Sequence, residues 1–399
     1  MSTETGADGR DAAAFRAEIR EWLAANLTTE FDAVRGRGGP GDEHVGFEPR
    51  LAWERRLAAG GWTCIGWPER HGGRGATLAE QVVFHEELAR ARAPARVGIV
   101  GEGLLGPTVM AFGTEEQKQR FLGPIVAAEE LWCQGYSEPG AGSDLAGVAT
   151  KAVRDGDEWV VTGQKVWTSL AHWSDWCFVL CRTDPDAAKH RGLSYLLVPM
   201  RQPGVEIRPI VQLTGTSEFN EVFFDGARTA LDHVVGGVND GWKVAMGTLA
   251  FERGASTLGQ QVEFAHELEA VTDAARARGA TKDPVIRQRL AGAWIGLRIL
   301  RYNALRTLHA MEGDDLTREG MITKLSWASW HRDLGELGID VLGPDATVTA
   351  GPGNELGDLQ RLFLWSRADT IYGGTNEIQR NVIGERALGL PRETRQPPK

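Results

Sequence analysis

The chain has 399 residues, is 42% hydrophobic, and sets 44 Lys+Arg against 54 Asp+Glu for a net charge of −10. That length allows a large core spread over two or three domains, and the acidic balance argues against general binding to nucleic acid or anionic membranes. No apolar run is long enough to span a bilayer and no basic-then-apolar leader opens the chain, so the sequence predicts a cytoplasmic protein.

Residues 1–10 are small and polar and are expected to be loose. From residue 11, Phe15, Ile19, Trp22 and Leu23 recur at helical spacing and form one apolar stripe. Residues 35–46 are rich in glycine and charge and read as a loop, followed by a second helix over 49–59. Thr77 with Glu80, and Thr114 with Gln117, read as capping boxes that each open a helix, the first running to about residue 90. The first 130 or so residues are therefore predicted helical.

The period changes at residue 131. Strands are predicted over 148–154, 159–163, 176–182, 193–199, 205–209 and 221–224, with Asp155-Gly156 as a hairpin turn. They are short and have no helices between them, which favours an antiparallel sheet or barrel. No G-x-G-x-x-G joins a strand to a helix, so a Rossmann dinucleotide site is unsupported. From residue 241 the pattern is helical again: 242–276, 284–311, 317–342, 357–372 and 376–387, lengths that suit a bundle. The tail, 392–399, is expected to be disordered.

The fold class is thus α+β: an N-terminal helical domain (1–130), a small middle antiparallel β-sheet or barrel domain (131–240), and a C-terminal domain resembling a four-helix bundle (241–399). The four cysteines, Cys64, Cys133, Cys177 and Cys181, make no C-x-x-C pair and read as core thiols. His85, His172, His266 and His331 have no partner at metal-ligand spacing, so no metal site is predicted.

One stretch stands out, W-C-Q-G-Y-S-E-P-G-A-G-S-D over residues 132–144. Gly140, Ala141 and Gly142 permit a tight turn close to a bulky group, and the hydroxyls of Ser137 and Ser143 are neutral donors at its two ends. Such a shelf suits a cofactor with a flat ring and phosphates. Trp167 offers a flat face for stacking on a heterocycle. Thr375 is a candidate N-cap, and a helix N-terminus favours a phosphate.

The run Y-S-E-P-G-A-G-S-D-L-A-G resembles the flavin-binding signature of the acyl-CoA dehydrogenase family, as does I-Y-G-G-T-N-E-I-Q-R-N-V-I-G-E-R over 371–386. Further short matches stand in the family's order, among them Gly163-Gln164-Lys165, Trp167-Thr168-Ser169 and the F-N-E-V-F-F-D run over 219–225. The resemblance covers residues 15–391. It implies non-covalent FAD, with residues 134–143 (Gln134, Tyr136, Ser137, Gly142 and Ser143 among them) lining the ring and pyrophosphate. Trp167 is then expected to cover a ring face, with Thr168 beside it and Ser169 near the ring's N5. Thr375 and Glu377 are expected at the adenosine end, across a subunit boundary. Residues 278–283 and 339–346 depart from the family's two other FAD-contacting segments and receive no role.

The family's reaction removes an α-proton from an acyl-CoA thioester and moves a hydride from Cβ to the flavin. A weak carbon acid of this kind needs a carboxylate held close and a hydrogen-bonded carbonyl. Many relatives carry that carboxylate in Tyr-Glu-Gly-Thr; this chain has Tyr372-Gly373-Gly374-Thr375. The isovaleryl and long-chain types place it instead in a C-terminal-domain helix, in a Leu-x-x-Glu-Arg context, which Leu249 to Arg253 matches. Glu252 is therefore the expected base, with Ser143, Arg253, Tyr372 and Gly373 as expected substrate contacts. The resemblance implies a trans-2-enoyl-CoA product, an electron-transfer flavoprotein as partner, a setting in fatty-acid β-oxidation, and a homo-oligomer (dimer or tetramer). The alternatives are a flavin oxidase or oxygenase on the same fold, or one subunit of a heteromer with a related chain.

Overall fold

A computed structural model describes residues 12–251, 260–310, 318–349 and 355–392. The expectations for residues 1–10 and for the tail beyond 392 lie outside the described residues. The chain divides into two compact units, Met1–Ser256 and Thr257–Lys399.

In the first unit, α1 (Ala12–Asn26) buries Phe15, Ile19 and Leu23, four residues apart along one face. This face meets α3 (Leu78–Arg90) in a core that includes Trp53 of α2 (Phe47–Ala59), Trp62 and Phe84. Arg16 and Arg20 of α1 reach Glu86 and Glu87 of α3. Both capping boxes form: Thr77 Oγ1 accepts from Glu80 N, and Thr114 Oγ1 from Gln117 N. α5 (Glu115–Val126) follows the second box. Between α3 and α5 lies α4 (Gly106–Phe112), led in by a π-turn at Gly101–Leu105, which sequence reading passes over. Gly106, which opens α4, serves packing. A Cβ on Gly106 would lie 1.9 Å from the ring of Trp67.

Eight strands follow: β1 (Trp132–Gly135), β2 (Lys151–Asp155), β3 (Glu158–Ser169), β4 (Trp176–Arg182), β5 (Leu193–Pro199), β6 (Val205–Pro209), β7 (Phe219–Ala230) and β8 (Val234–Val235). They form one sheet in the order β6-β7-β3-β2-β4-β5-β8, with β1 paired to β4. Most pairs are antiparallel, as the short connections require; β1–β4 and the single β2–β4 contact are parallel. β4 is buried on both faces. Phe178 and Leu180 join α4, α5 and α6 (Gly241–Phe251) in one core, while Cys177, Val179 and Cys181 face a second core built with residues of β3, β5 and β7. The sheet curls to enclose that second core, and Thr229 Oγ1 of β7 donates to Leu197 O of β5 at 2.6 Å. All four cysteines are free and buried.

β3 and β7 are each 12 residues long, far longer than their predicted segments, because two bulges interrupt the alternation. In one, β7 skips Gly226, which sits at φ +74°. In the other, β3 takes three steps from Lys165 to Thr168 while β7 takes two.

The second unit is helical: α7 (Gln261–Ala277), α8 (Pro284–Ala310), the single turn α9 (Arg318–Met321), α10 (Thr323–Leu342), α11 (Asp358–Asp369) and α12 (Asn376–Val382). α10 lies against α7, α8 and α11 over Leu268, Val271, Leu334, Leu337 and Leu362. The predicted helix over 242–276 is described in two parts, with residues 252–259 between them outside the described residues. Among the described residues no helix is long and apolar enough to cross a membrane.

Candidate functional site

The bulge in β3 determines what the site presents. Trp167 takes φ +60°, a region a bulky side chain rarely enters, and its indole is 57% exposed. One residue on, Thr168 is fully buried, and among the described residues its Oγ1 has no hydrogen-bond partner. Ser169 is half-buried and pairs with Phe219 of β7. An exposed aromatic face beside an unsatisfied buried hydroxyl, on strained backbone, is the arrangement of a strand that meets a ligand rather than solvent.

The shelf abuts this bulge. Ser137 O accepts from Val166 N at 2.9 Å, which ties the end of β1 to the bulged strand. Glu138 and Ala141 exchange two backbone hydrogen bonds of 3.0 Å and close the Pro139–Gly140 turn. A Cβ built on Gly140 or Gly142 meets nothing within 4 Å, and Gly142 and Ser143 are exposed. Gln134 is half-buried in β1. Tyr136 is buried, its ring edge-on to Phe178 and Tyr195, so it reaches the shelf through its main chain.

Beneath the shelf lies a charge pair without an assigned role in the sequence reading. Lys165 is completely buried, and its Nζ donates to Glu138 Oε1 (2.8 Å), Leu180 O (2.8 Å) and Tyr136 O (3.0 Å). Glu138 also accepts from Ala149 N (2.6 Å) and Thr150 N (2.9 Å). Burial pulls the Glu138 carboxyl up, but the Lys165 charge and these donors outweigh it and hold it below its ordinary range. A charged pair inside a strand-and-turn segment was the available signal, since neither residue is ordinarily buried unpaired.

In the second unit, Thr375 caps α12, its Oγ1 accepting from Ile378 N at 3.2 Å. Glu377, in the first turn, is exposed and pairs with Arg380 at 3.3 Å. Tyr372 is 38% exposed, and Gly373 and Gly374 sit at φ +60° and +87°. Glu252 and Arg253 lie outside the described residues. The two segments that depart from the family pattern are joined, since Arg278 pairs with Asp345 at 2.7 Å. His331, read as isolated, is bracketed by Glu267 and Asp369, partners 64 and 38 residues away that spacing rules do not reach. Among the described residues no group of three or more His, Cys, Asp or Glu is placed to hold a metal.

Residues 10–129, 133–227 and 239–388 match, in order, the N-terminal, middle and C-terminal domains of acyl-CoA dehydrogenases. The chain is 61% identical over 389 residues to acyl-CoA dehydrogenase IpdE1 of Mycobacterium tuberculosis, covering 97% of this chain and 100% of the relative. The chain belongs to the acyl-CoA dehydrogenase family. Among solved structures it is similar to the Tcur3481-Tcur3483 steroid ACAD (TM-score 0.84, 32% identity, 98% of this chain and 100% of that chain). It is also similar to the ChsE4-ChsE5 complex of M. tuberculosis (TM-score 0.80, 29% identity, 98% and 100%).

As an acyl-CoA dehydrogenase the protein is an oxidoreductase and a flavoprotein, and its cofactor is FAD. The residues present fit that group: the exposed Trp167 face suits the ring, the open glycine shelf has room for close backbone approach, and the orphaned Thr168 hydroxyl offers a polar contact.

Proposed function

We propose that the enzyme desaturates a bulky, ring-bearing acyl-CoA thioester to its trans-2-enoyl-CoA and passes the electrons to an electron-transfer flavoprotein. Bound FAD supplies the acceptor for the hydride that leaves Cβ. Trp167, Thr168 and Ser169 orient the ring with Gln134, Tyr136, Ser137, Gly142 and Ser143, while Thr375 and Glu377 serve the adenosine end. Glu252 takes the α-proton as the Cα–Cβ double bond forms. Ser143, Arg253, Tyr372 and Gly373 hold the thioester.

The observation that carries the reading is Trp167, whose exposed indole on strained, bulged backbone has no role in the core. The bulky acyl group is supported by likeness to a steroid ACAD, and by Gly373, which leaves the Tyr372–Thr375 turn without a side chain where many relatives carry the base. Likeness to complexes named for two chains also favours assembly with a related chain.

A panel of acyl-CoA thioesters differing in length, branching and ring content, assayed with an artificial electron acceptor, tests this. The expected result is preference for the ring-bearing members. A preference for short straight chains refutes the acyl assignment, and no activity with any thioester refutes the reaction. Light scattering and the visible spectrum of the chain purified alone and with a co-expressed related chain test the assembly. A fully active, FAD-loaded monomer contradicts it.

A further inference from the structure

His331 of α10 is 5% exposed and stacks on Phe264 of α7 at 4.6 Å. Each of its ring nitrogens faces a carboxylate: Nε2 lies 2.8 Å from Glu267 Oε2 of α7, and Nδ1 2.5 Å from Asp369 Oδ2 at the end of α11. A neutral imidazole has one N–H and one lone pair, so one of these contacts would set a lone pair against a carboxylate oxygen. The imidazolium donates to both. Burial by itself disfavours that cation, but the Glu267 charge and the hydrogen bonds with Asp369 and Glu267 outweigh it and hold the ring's pKa up at about 10.

The chain of charges continues. Asp369 is itself buried, and its other oxygen, Oδ1, accepts from Tyr372 Oη at 2.9 Å. Lys324, also on α10, donates from Nζ to Asp369 O and to Gly374 O. Gln379 Nε2 donates to Gly373 O at 2.8 Å. The turn at residues 372–374 contains two glycines at positive φ, so its own backbone does little to restrict it. Its geometry is imposed from beneath.

We propose that His331 is a positioning residue: the Glu267–His331–Asp369 chain, buried at His331 and Asp369, aims the Tyr372 hydroxyl and so fixes residues 372–374 at the acyl-CoA site. The proposal rests on the reading of Tyr372 and Gly373 as substrate contacts. His331 touches no substrate; it acts by holding Asp369 in the rotamer that receives Tyr372. Glutamine at 331 carries both its N–H donors on one nitrogen, so it sets a carbonyl oxygen against one of the two carboxylates that face opposite sides of the ring.

The test uses the FAD-loaded protein and the variants His331→Gln, Tyr372→Phe and their double. Hydrogen–deuterium exchange of the peptide spanning residues 370–379 is read first. Both single variants should exchange about tenfold faster there, the change expected from losing one charge-assisted hydrogen bond. The double variant should be no faster than the faster single. Exchange in 370–379 unchanged by His331→Gln, or rate increases that multiply in the double variant, overturns the proposal. The second readout is steady-state kinetics with the best acyl-CoA. KM should rise about tenfold in both single variants with kcat held within about twofold, because the hydrogen bond is lost equally in ground and transition states. A fall in kcat at unchanged KM overturns the positioning role. Faster exchange with unchanged KM and kcat leaves the positioning standing and removes residues 372–374 from the acyl-CoA site, a separate failure.

Discussion

Replacing Lys165 by methionine is the sharpest test of how the glycine shelf proposed to hold the flavin is supported. The substitution keeps an unbranched side chain, one heavy atom shorter, and removes an ammonium with three acceptors within 3.0 Å. Glu138 then keeps the backbone donors Ala149 N and Thr150 N but no cation, inside a core that leaves it almost no water. Breaking a buried pair from one side costs about 3–5 kcal/mol, because a charge remains without its partner. The double variant Lys165→Met/Glu138→Gln removes that charge, and the amide oxygen still accepts from Ala149 or Thr150. It should recover about 2 kcal/mol or more of the loss. The assay is urea denaturation at fixed free FAD, followed by tryptophan fluorescence and flavin release, since bound cofactor itself shifts the midpoint. The pH dependence has a definite sign. Glu138 is held below its ordinary value of 4.5, so the pair's contribution is present above that value and lost as pH falls through the depressed one. The gap between wild type and Lys165→Met should be wide at neutral pH and narrow in acid. A single variant that loses less than about 1 kcal/mol, or a double variant as unstable as the sum of the singles, refutes the reasoning.

Glu252→Gln should slow flavin reduction by acyl-CoA about 10²- to 10⁴-fold with FAD content unchanged, read by anaerobic stopped flow; a wild-type rate shows that the proton leaves by another route. Trp167→Ala should weaken FAD binding roughly three- to tenfold, the value of one aromatic contact, and leave the melting temperature nearly unchanged because the indole is exposed; a large loss of stability at unchanged FAD affinity contradicts the site. His331→Gln should lower the melting temperature most below pH 6.5. His331 is raised from 6.5 to about 10, so its contribution is fully present below the lower value and lost as pH climbs through the higher; a gap that widens toward pH 10 reverses the sign and refutes the buried imidazolium. Ellman's reagent at pH 8 should label no thiol in the native chain and four after unfolding. All four cysteines are buried, and burial pushes the thiols of Cys64 and Cys177 well up and that of Cys181 to about 12; a fast-reacting native thiol counts against it.

Elements with strong local signals were legible from residues alone. The stripe of α1, the two capping boxes, the Asp155-Gly156 hairpin and the apolar runs of β4 and β5 each depend on neighbours within a few positions. The order of helical, strand and helical blocks followed from the change in hydrophobic period, and the family, with its FAD cofactor, from two long motifs. What alternation did not reveal was continuity through a bulge. The bulges at Gly226 and between Lys165 and Thr168 break the period of two, so only part of β3 and of β7 is legible as strand. α4 was hidden in the same way, because its opening Gly106 answers to the ring of Trp67, some 40 positions earlier in the chain.

The candidate site divides along the same line. Sequence by itself determined the chemistry on offer: the glycine shelf, the aromatic at 167, the glycine at 373 in place of a carboxylate, and the glutamate at 252. Only the tertiary structure decided which of these side chains face outward and what supports them. It turned Trp167 to the surface while burying Thr168, and it set Lys165 under Glu138 from 27 residues away. It also closed two carboxylates on His331 from 38 and 64 residues away. The reason is physical. A buried charge is tolerated only when a partner of opposite sign is delivered to it, and that delivery is made by sheet register and helix packing between segments far apart in the chain.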